Sequence, residues 1–528
     1  MPAINRIHIC GFKAFPNDFE LQLEGKNLLM YGENGSGKSS IYYALHCMFQ
    51  APLKPDAGKK YFDPASEQHL KNLNNLDADS KIWIDFDGRH PFIYNIDKEG
   101  YQFTLLGGKH PLPAQINGCF VNHQFLFHFF NFRNSQRINL FPVFIKDILP
   151  FCKDDNTGLH IGEMYDEITA SIIKKGRHIH PDYISNIEYF NKAVKKVVED
   201  INIYASDRYN ESFKDEDDNE LVIRLRYDSN FDKPEDDTNE YWLKYDNIIE
   251  LVKENGEIKE RKSSYKKLNE PFIGLEISEK MPDGNLRKIV KPHTYFNEAK
   301  LTAIALAVRF ALLNIEKPAD GRFLALDDML ISLDMSNRAK VVDFLLKISD
   351  KYKIYLFTHD KMFFEYFKHK TKKNQDAWVY KEIYMDYDKT PYIRNSEDYL
   401  GQAEHYIKQH EYEIAGNFLR KEAEAFCKNF LPKKKQLTGD FAHLDLNGLI
   451  MNCKDYAAES GVIDISIFNE LDEHRKFILN PSSHDSYDVA KYGHEVKRCL
   501  QTLRKLREII IKPFLKFGSQ VEFTLKTP

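Results

Sequence analysis

The chain contains no C-x-x-C pair, and its seven cysteines (Cys10, Cys47, Cys119, Cys152, Cys427, Cys453 and Cys499) are scattered and odd in number. That pattern excludes a ribbon-type zinc site and argues against a disulfide framework, so a reducing cytoplasm is the expected setting. No apolar run approaches the roughly 20 residues that a membrane span needs. The opening "MPAINRIHICGFKAF" lacks the basic-then-apolar layout of a secretory signal, so neither export nor a membrane anchor is expected. Charge of one sign is also missing: 74 Lys and Arg face 79 Asp and Glu, a formal net charge of −5. No global field recruits nucleic acid, and any such binding requires a local patch. There is no fixed-period repeat and no long heptad array, so any projecting arm is short.

What the chain does have is length and apolar content. Its 528 residues, 42% of them hydrophobic, can bury a substantial core and predict two to four domains. "INRIHICGF" and "FELQLEGKNLLMYG" alternate apolar and polar residues and then turn fully apolar, which predicts strands ending in a buried one. "GENGSGKSS", residues 32 to 40, follows at once, and "SSIYYALHCMF" continues with helical spacing. The glycine loop therefore joins a strand to a helix, the context in which G-x-x-x-x-G-K-S is a phosphate cradle. Gly32, Asn34, Gly35, Gly37, Lys38, Ser39 and Ser40 are the expected nucleotide-binding residues. Glycines let backbone N–H groups close round a polyphosphate, Lys38 supplies a point charge, Ser39 can ligate Mg2+, and the helix adds its positive end.

Residues of about 80 to 125 predict short strands joined by Gly, Asp and Pro turns, and about 160 to 213 predict helix. "KDEDDNELVIRLRYDSNFDKPEDDTNEYW" carries acidic clusters around one strand, most simply a solvated loop or hairpin. "EAKLTAIALAVRFALLNI" is a strongly apolar helix, and "GRFLALDDML" and "KIYLFTHD" are short strands suited to a sheet covered on both faces. The first of these ends in Asp327 and Asp328, the usual positions of a magnesium-holding acid and a water-polarising acid, although the second is Asp rather than Glu. From about residue 396 the composition turns helical, with a hairpin over "YLGQAEHYIKQHEYEIAGNFLRKEAEAFCKNFL" and a long helix in "VAKYGHEVKRCLQTLRKLREIIIKPFLKF".

With "ISLD" (Ile331 to Asp334) after the two acids and His359 in "LFTHD", the chain resembles the ABC-type ATPases, whose D-loop and switch histidine these look like. "GFKAF" with "YGENGSGKSS" resembles the SMC/RecF branch of that class. "FNEAKLTAIALAVRFA" is similar to the family's signature helix, with Asn297 at the serine position and Glu298 and Ala299 where glycines are usual; Gln124 in "FVNHQFLF" looks like the Q-loop residue. The resemblance implies an α/β fold: an ABC-type ATPase head over residues 1–395, with a mixed sheet, flanking helices and a short helical insertion at about 150–290, then an all-α domain over 396–528. It implies ATP and Mg2+ as ligands, with Asp328, His359 and Gln124 catalytic and Ser39, Asp327 and Gln124 on the metal. It also implies a homodimer or higher oligomer in which Asn297 of one head caps ATP on another. The departures at 297–299 and at Asp328 leave two readings: slow hydrolysis, or ATP as structural glue.

An insertion of this length is too short for an SMC arm, and the resemblance is closer to stand-alone heads of bacterial antiviral defence such as the RloC and PrrC nucleases and the PtuA and PARIS ATPases. The tail "LRKEAEAF" and "HRKFILNPSSHD" resembles metal-independent HEPN-type RNases, which implies Arg420, Glu424, Arg475 and His484 as RNase residues. A docking module is the alternative, since an Asn-Pro helix end is also a common structural device. Two functions follow as expectations. One is a defence ATPase controlling a nuclease, either its own tail acting on RNA such as tRNA or a partner effector. The other is a RecF-like repair ATPase that binds DNA ends.

Overall fold

The computed structural model describes residues 3–50, 57–87, 92–105, 118–133, 136–154, 156–170, 172, 174–175, 178–228, 239–254, 257–315, 322–329, 333, 335–386, 388–395, 399–438, 442–460, 465–483 and 493–516. It divides into two compact units, Met1–Asn395 and Ser396–Pro528.

In chain order the first unit begins with β1 (Ala3–Cys10), β2 (Phe19–Gln22), β3 (Asn27–Gly32), α1 (Lys38–Gln50), α2 (Ala57–Phe62), β4 (Lys81–Asp87), β5 (Phe92–Asp97), β6 (Gly100–Leu105) and β7 (Gly118–Asn122). Next come α3 (His123–Phe130), α4 (Phe141–Asp147), α5 (Ile161–Ala170), the short pair β8 (Lys174–Lys175) and β9 (His178–Ile179), and α6 (Pro181–Ser212). The unit continues with β10 (Leu221–Arg226), β11 (Tyr245–Glu254), β12 (Glu257–Leu268), β13 (Gly274–Lys280), β14 (Leu286–Ile289), α7 (Pro292–Tyr295) and α8 (Glu298–Ile315). It closes with β15 (Phe323–Asp327), α9 (Met335–Ile348), β16 (Lys353–Thr358), α10 (Lys361–Lys370), β17 (Trp378–Met385) and β18 (Pro391–Asn395).

The central sheet runs β18-β17-β3-β16-β15-β7, parallel except for the edge strand β18. β3, β7, β15 and β16 are apolar at successive positions because both faces are covered. Leu29, Cys119, Val121, Leu324, Leu326, Ile354 and Leu356 join one core with α6, α8, α9 and α10. Their neighbours Leu28, Met30, Phe120, Phe323, Ala325, Tyr355 and Phe357 join another with α1 and the antiparallel sheet β2-β1-β4-β5-β6. The two-residue period of a strand thus divides one short segment between two cores. Each fully buried side chain of this size contributes about 1.5–3 kcal/mol.

The insertion holds strands as well as helices: the 32-residue α6, the sheet β10-β13-β14 and the two-stranded ribbon β11-β12. The free edge of β10 is paired by side chains of α6. Asn202 and Asn210 each accept a backbone N–H and donate to a backbone C=O, at Leu225 and Leu221 respectively, over 2.7–2.9 Å. Ser206 does the same at Ile223. These residues recur every four positions, one face of a helix, and meet alternate residues of the strand. The acidic stretch before β10 is not a free loop: Asp218 takes Lys300 of α8 at 2.9 Å, and Asp215 takes Lys340 of α9. Asp215, Glu216 and Asp217 are nonetheless exposed, as a solvated turn requires, and the acidic run at 232–237 lies outside the described residues.

Among its described residues the α-helices of the second unit are α11 (Tyr399–Lys408), α12 (Tyr412–Phe430), α13 (Leu446–Ser460), α14 (Ser466–His474) and α15 (Gly493–Lys516). It has its own core, built on Leu400, Leu419, Phe426, Cys453, Phe468 and Leu503. Among the described residues no helix is long and apolar enough to cross a membrane.

Candidate nucleotide site

β3 delivers the chain to Gly32, which lies opposite Ile383 of β17. A Cβ at Gly32 would stand 2.5 Å from Ser36 Oγ and 2.7 Å from the Ile383 carbonyl, so no other residue fits without displacing backbone. Gly37 turns the loop at φ 105, a conformation L side chains rarely adopt, and α1 begins at the next residue. Asn34 and Gly35 are exposed at the tip, and Ser40 accepts the Ala14 N–H at 3.3 Å. Lys38 is buried, and its Nζ donates to the carbonyls of Gly32 (2.6 Å) and Glu33 (2.9 Å). Burial lowers its pKa against the pull of Asp328, Asp327 and Glu33.

The acids arrive on β15, two strands from β3. Burial pushes the Asp327 carboxyl up to about 6, while a hydrogen bond from Ser39 holds it down and the Asp328 charge adds to the rise. Its Oδ1 is buried without a hydrogen-bond partner. An orphaned carboxylate oxygen beside a serine hydroxyl and a lysine is a donor set that suits a hard divalent cation next to phosphate oxygens. The residues present therefore fit Mg2+ and a nucleotide polyphosphate, with Ser39 and Asp327 on the metal side and Lys38 and the loop N–H groups on the anion. Bound Mg2+ supplies charge neutralisation to the phosphates.

Asp328 sits at φ 48, and its N–H donates to the Phe357 carbonyl at 3.1 Å. This left-handed turn brings its carboxylate onto His359, just past the end of β16. Oδ1 accepts the His359 N–H at 2.9 Å and lies 2.9 Å from His359 Nδ1. A carboxylate holding an imidazole is an arrangement able to orient a water and take its proton.

Gly32–Ser40, Asp327, Asp328 and His359 thus gather at the C-terminal ends of three neighbouring parallel strands. Gln124 comes two residues after Asn122, the β7 residue paired in register with Asp327. Gln124 is exposed on the first turn of α3, which Asn122 caps by accepting the Phe125 N–H at 2.8 Å. Asn297, also exposed, caps α8 by accepting the Lys300 N–H at 2.8 Å, and no hydrogen bond ties it to residues 32–40. Of the D-loop segment, Ile331, Ser332 and Asp334 lie outside the described residues.

In the helical unit, Arg420 donates to Glu424 (3.2 Å) and to Asn480 Oδ1 (2.9 Å). Arg475 opens the π-type turn Arg475–Leu479, donates to Asp472 (2.8 Å), and its carbonyl accepts the Asn480 N–H at 3.0 Å. His484 lies outside the described residues. Asn480, expected only as part of an Asn-Pro helix end, joins this cluster by accepting from Arg420.

A strand, a glycine loop and a helix, with two acids at the end of a second parallel strand, define a P-loop nucleotide-binding ATPase domain. The family profile described as AAA domain matches residues 6–281, and the chain belongs to that family. No curated protein sequence matches it. Among solved structures it is similar to an Smc head domain with an extended coiled coil, bound to the C-terminal domain of ScpA, from Pyrococcus furiosus: 16% identity, 78% of this chain and all (100%) of that one, TM-score 0.40. It is also similar to the SMC head domain from Thermotoga maritima, at 13% identity over 75% of this chain and 99% of that one, TM-score 0.34. RecF with ATP, a recombination mediator of the RecFOR pathway, matches at 13% identity over 68% of this chain and 92% of that one, TM-score 0.40.

Proposed function

We propose that the protein is an ATP-hydrolysing switch that controls a nuclease in antiviral defence. Lys38 and the loop N–H groups hold the triphosphate, Ser39 and Asp327 hold Mg2+, and Asp328 with His359 orients the attacking water. The observation that carries the ATPase part is the Asp328–His359 pair beside Lys38 and the unpartnered Asp327 oxygen. Asn297 serves as an exposed helix cap with no bond to its own phosphate loop. A role in capping nucleotide on a second copy fits that placement, so ATP drives a sandwiched homodimer or higher oligomer. Gln124, at the end of the neighbouring strand, is assigned to the metal and water once nucleotide is bound. The nuclease part rests on the separate helical unit, where Arg420 and Arg475 flank one π-type turn. Each guanidinium is paired to a carboxylate, Arg420 to Glu424 and Arg475 to Asp472, which a phosphodiester would displace as the anion.

The deciding experiment is cleavage of total tRNA by the full chain with ATP and magnesium, beside Arg420→Ala, His484→Ala and Lys38→Ala. Cleavage lost in all three variants supports an RNase gated by the head. Intact tRNA throughout makes the tail a docking surface for a separate effector. ATP-dependent binding of DNA ends without RNA cleavage would instead support the RecF-like repair reading.

A further inference from the structure

The turn that carries His359 is held from behind by a residue outside the phosphate loop and both strand ends. Arg338 lies in the first part of α9, with its side chain 14% exposed. Its Nε donates to the Leu333 carbonyl at 2.7 Å, and its Nη1 pairs with the carboxylate of Asp360, the residue after His359. Asp360 is itself engaged twice more: Oδ1 caps α10 by accepting the Phe363 N–H at 3.0 Å, and its own N–H donates to Thr358 Oγ1 at 3.1 Å. Burial alone would raise its pKa, but the cap bond and Arg338 outweigh it and hold the carboxyl below the ordinary range.

One line of bonded groups therefore runs from the Leu333 carbonyl through Arg338 and Asp360 to His359 and on to Asp328. Packing does not do this job by itself. A cavity of about 40 Å³, bordered by Asp328, Arg338, His359 and Asp360 among others, adjoins the imidazole. That is room for a water or two beside the ring. A planar guanidinium donates from two separate nitrogens in fixed directions, whereas a lysine would need both acceptors to converge on a single ammonium.

We propose that Arg338 is a positioning residue for ATP hydrolysis: through Asp360 it sets the His359 turn against Asp328, and through Leu333 it ties that turn to the chain that follows the two acids. The inference rests on the water-orienting role given above to Asp328 and His359. It adds a coupling in which a shift of the backbone at Leu333 is delivered to the imidazole as a change of position.

The test uses the full chain with Asp360→Asn, Arg338→Ala, Arg338→Lys and the Asp360→Asn/Arg338→Ala double variant, and Asp328→Asn alongside. Steady-state kcat and KM for ATP, affinity for a fluorescent non-hydrolysable ATP analogue, and Tm are measured. Asparagine caps a helix as well as aspartate does, so Asp360→Asn removes the ion pair and keeps the cap. Expected are a kcat lower by roughly ten- to a hundredfold, with KM, analogue affinity and Tm close to parental. Arg338→Ala should match it, Arg338→Lys should not restore the rate, and the double variant should lose no more than either single one. Parental kcat in Asp360→Asn or Arg338→Ala, or losses that add in the double variant, overturns the coupling. Parental turnover in Asp328→Asn overturns the dyad instead, and a full chain without ATP turnover overturns both.

Discussion

His359 meets Asp328 twice through one oxygen: its backbone N–H donates to Oδ1 at 2.9 Å, and its Nδ1 lies 2.9 Å from the same atom. The carboxylate cannot leave the ring without also releasing the backbone N–H at the start of the turn into α10. Asp328→Asn keeps the size of the side chain and tolerates the left-handed backbone, so the fold should survive. Turnover of ATP should fall by roughly a hundredfold or more, while analogue binding persists and the ATP-bound assembly accumulates. Size-exclusion chromatography with and without ATP, beside a phosphate-release assay, checks both halves.

Lys38 is occupied by two carbonyls of its own loop, so removing it takes nothing from either hydrophobic core. Lys38→Ala should leave Tm within a few degrees of the parent and abolish both nucleotide binding and ATP-dependent assembly. Fluorescent-nucleotide titration reads this directly, and retained binding would overturn the phosphate-loop assignment.

Gly32→Ala acts in the opposite way. The added methyl meets backbone at 2.7 Å, where the strand pair cannot yield cheaply. A loss of about 1–3 kcal/mol is expected, seen as a lower midpoint in urea with an unchanged m-value.

Burial, assisted by Lys153, pushes the His160 imidazole down to about 4, against a hydrogen bond to the Pro150 backbone. A base that is harder to protonate when folded draws protons to the unfolded chain first. Its contribution to stability is therefore complete above about pH 6.5 and is lost as pH falls from 6.5 toward 4. Tm measured at pH 7 and pH 5 should drop less in His160→Gln than in the parent; equal drops would remove His160 from the acid sensitivity.

Asn210→Ala strips both partners from Leu221, leaving a backbone N–H and C=O at a sheet edge without their side-chain bonds. The expected cost is about 1–3 kcal/mol for each group left unpaired. Hydrogen exchange localised to β10 would place the effect.

The phosphate loop was legible because strand, glycines, lysine and helix are contiguous in the chain. Asp327, Asp328 and His359 were legible because they stand at or just past the ends of two short, mostly apolar strands. Arg338 was not, since its role depends on Asp360, 22 positions away, and nothing local distinguishes it from a surface arginine on an amphipathic helix. The ion pairs of the acidic run before β10 were not legible for a related reason: Lys300 and Lys340 lie 82 and 125 positions on. The ribbon β11-β12 escaped notice because its charges interrupt any apolar alternation, and pairing between the strands holds a register that composition does not advertise.

The pairing of α6 with β10 has a mechanical consequence. Three side chains spaced four apart engage a strand at three alternate residues, so sliding the helix by one residue would break six hydrogen bonds together. Asn191 repeats the arrangement at Leu243. The insertion is thereby geared, like a rack to its pinion, and α8 is tied to the segment between α6 and β10 through Lys300 and Asp218. A displacement that begins where Asn297 opens α8 thus reaches, through that bond, the segment that joins α6 to its sheet.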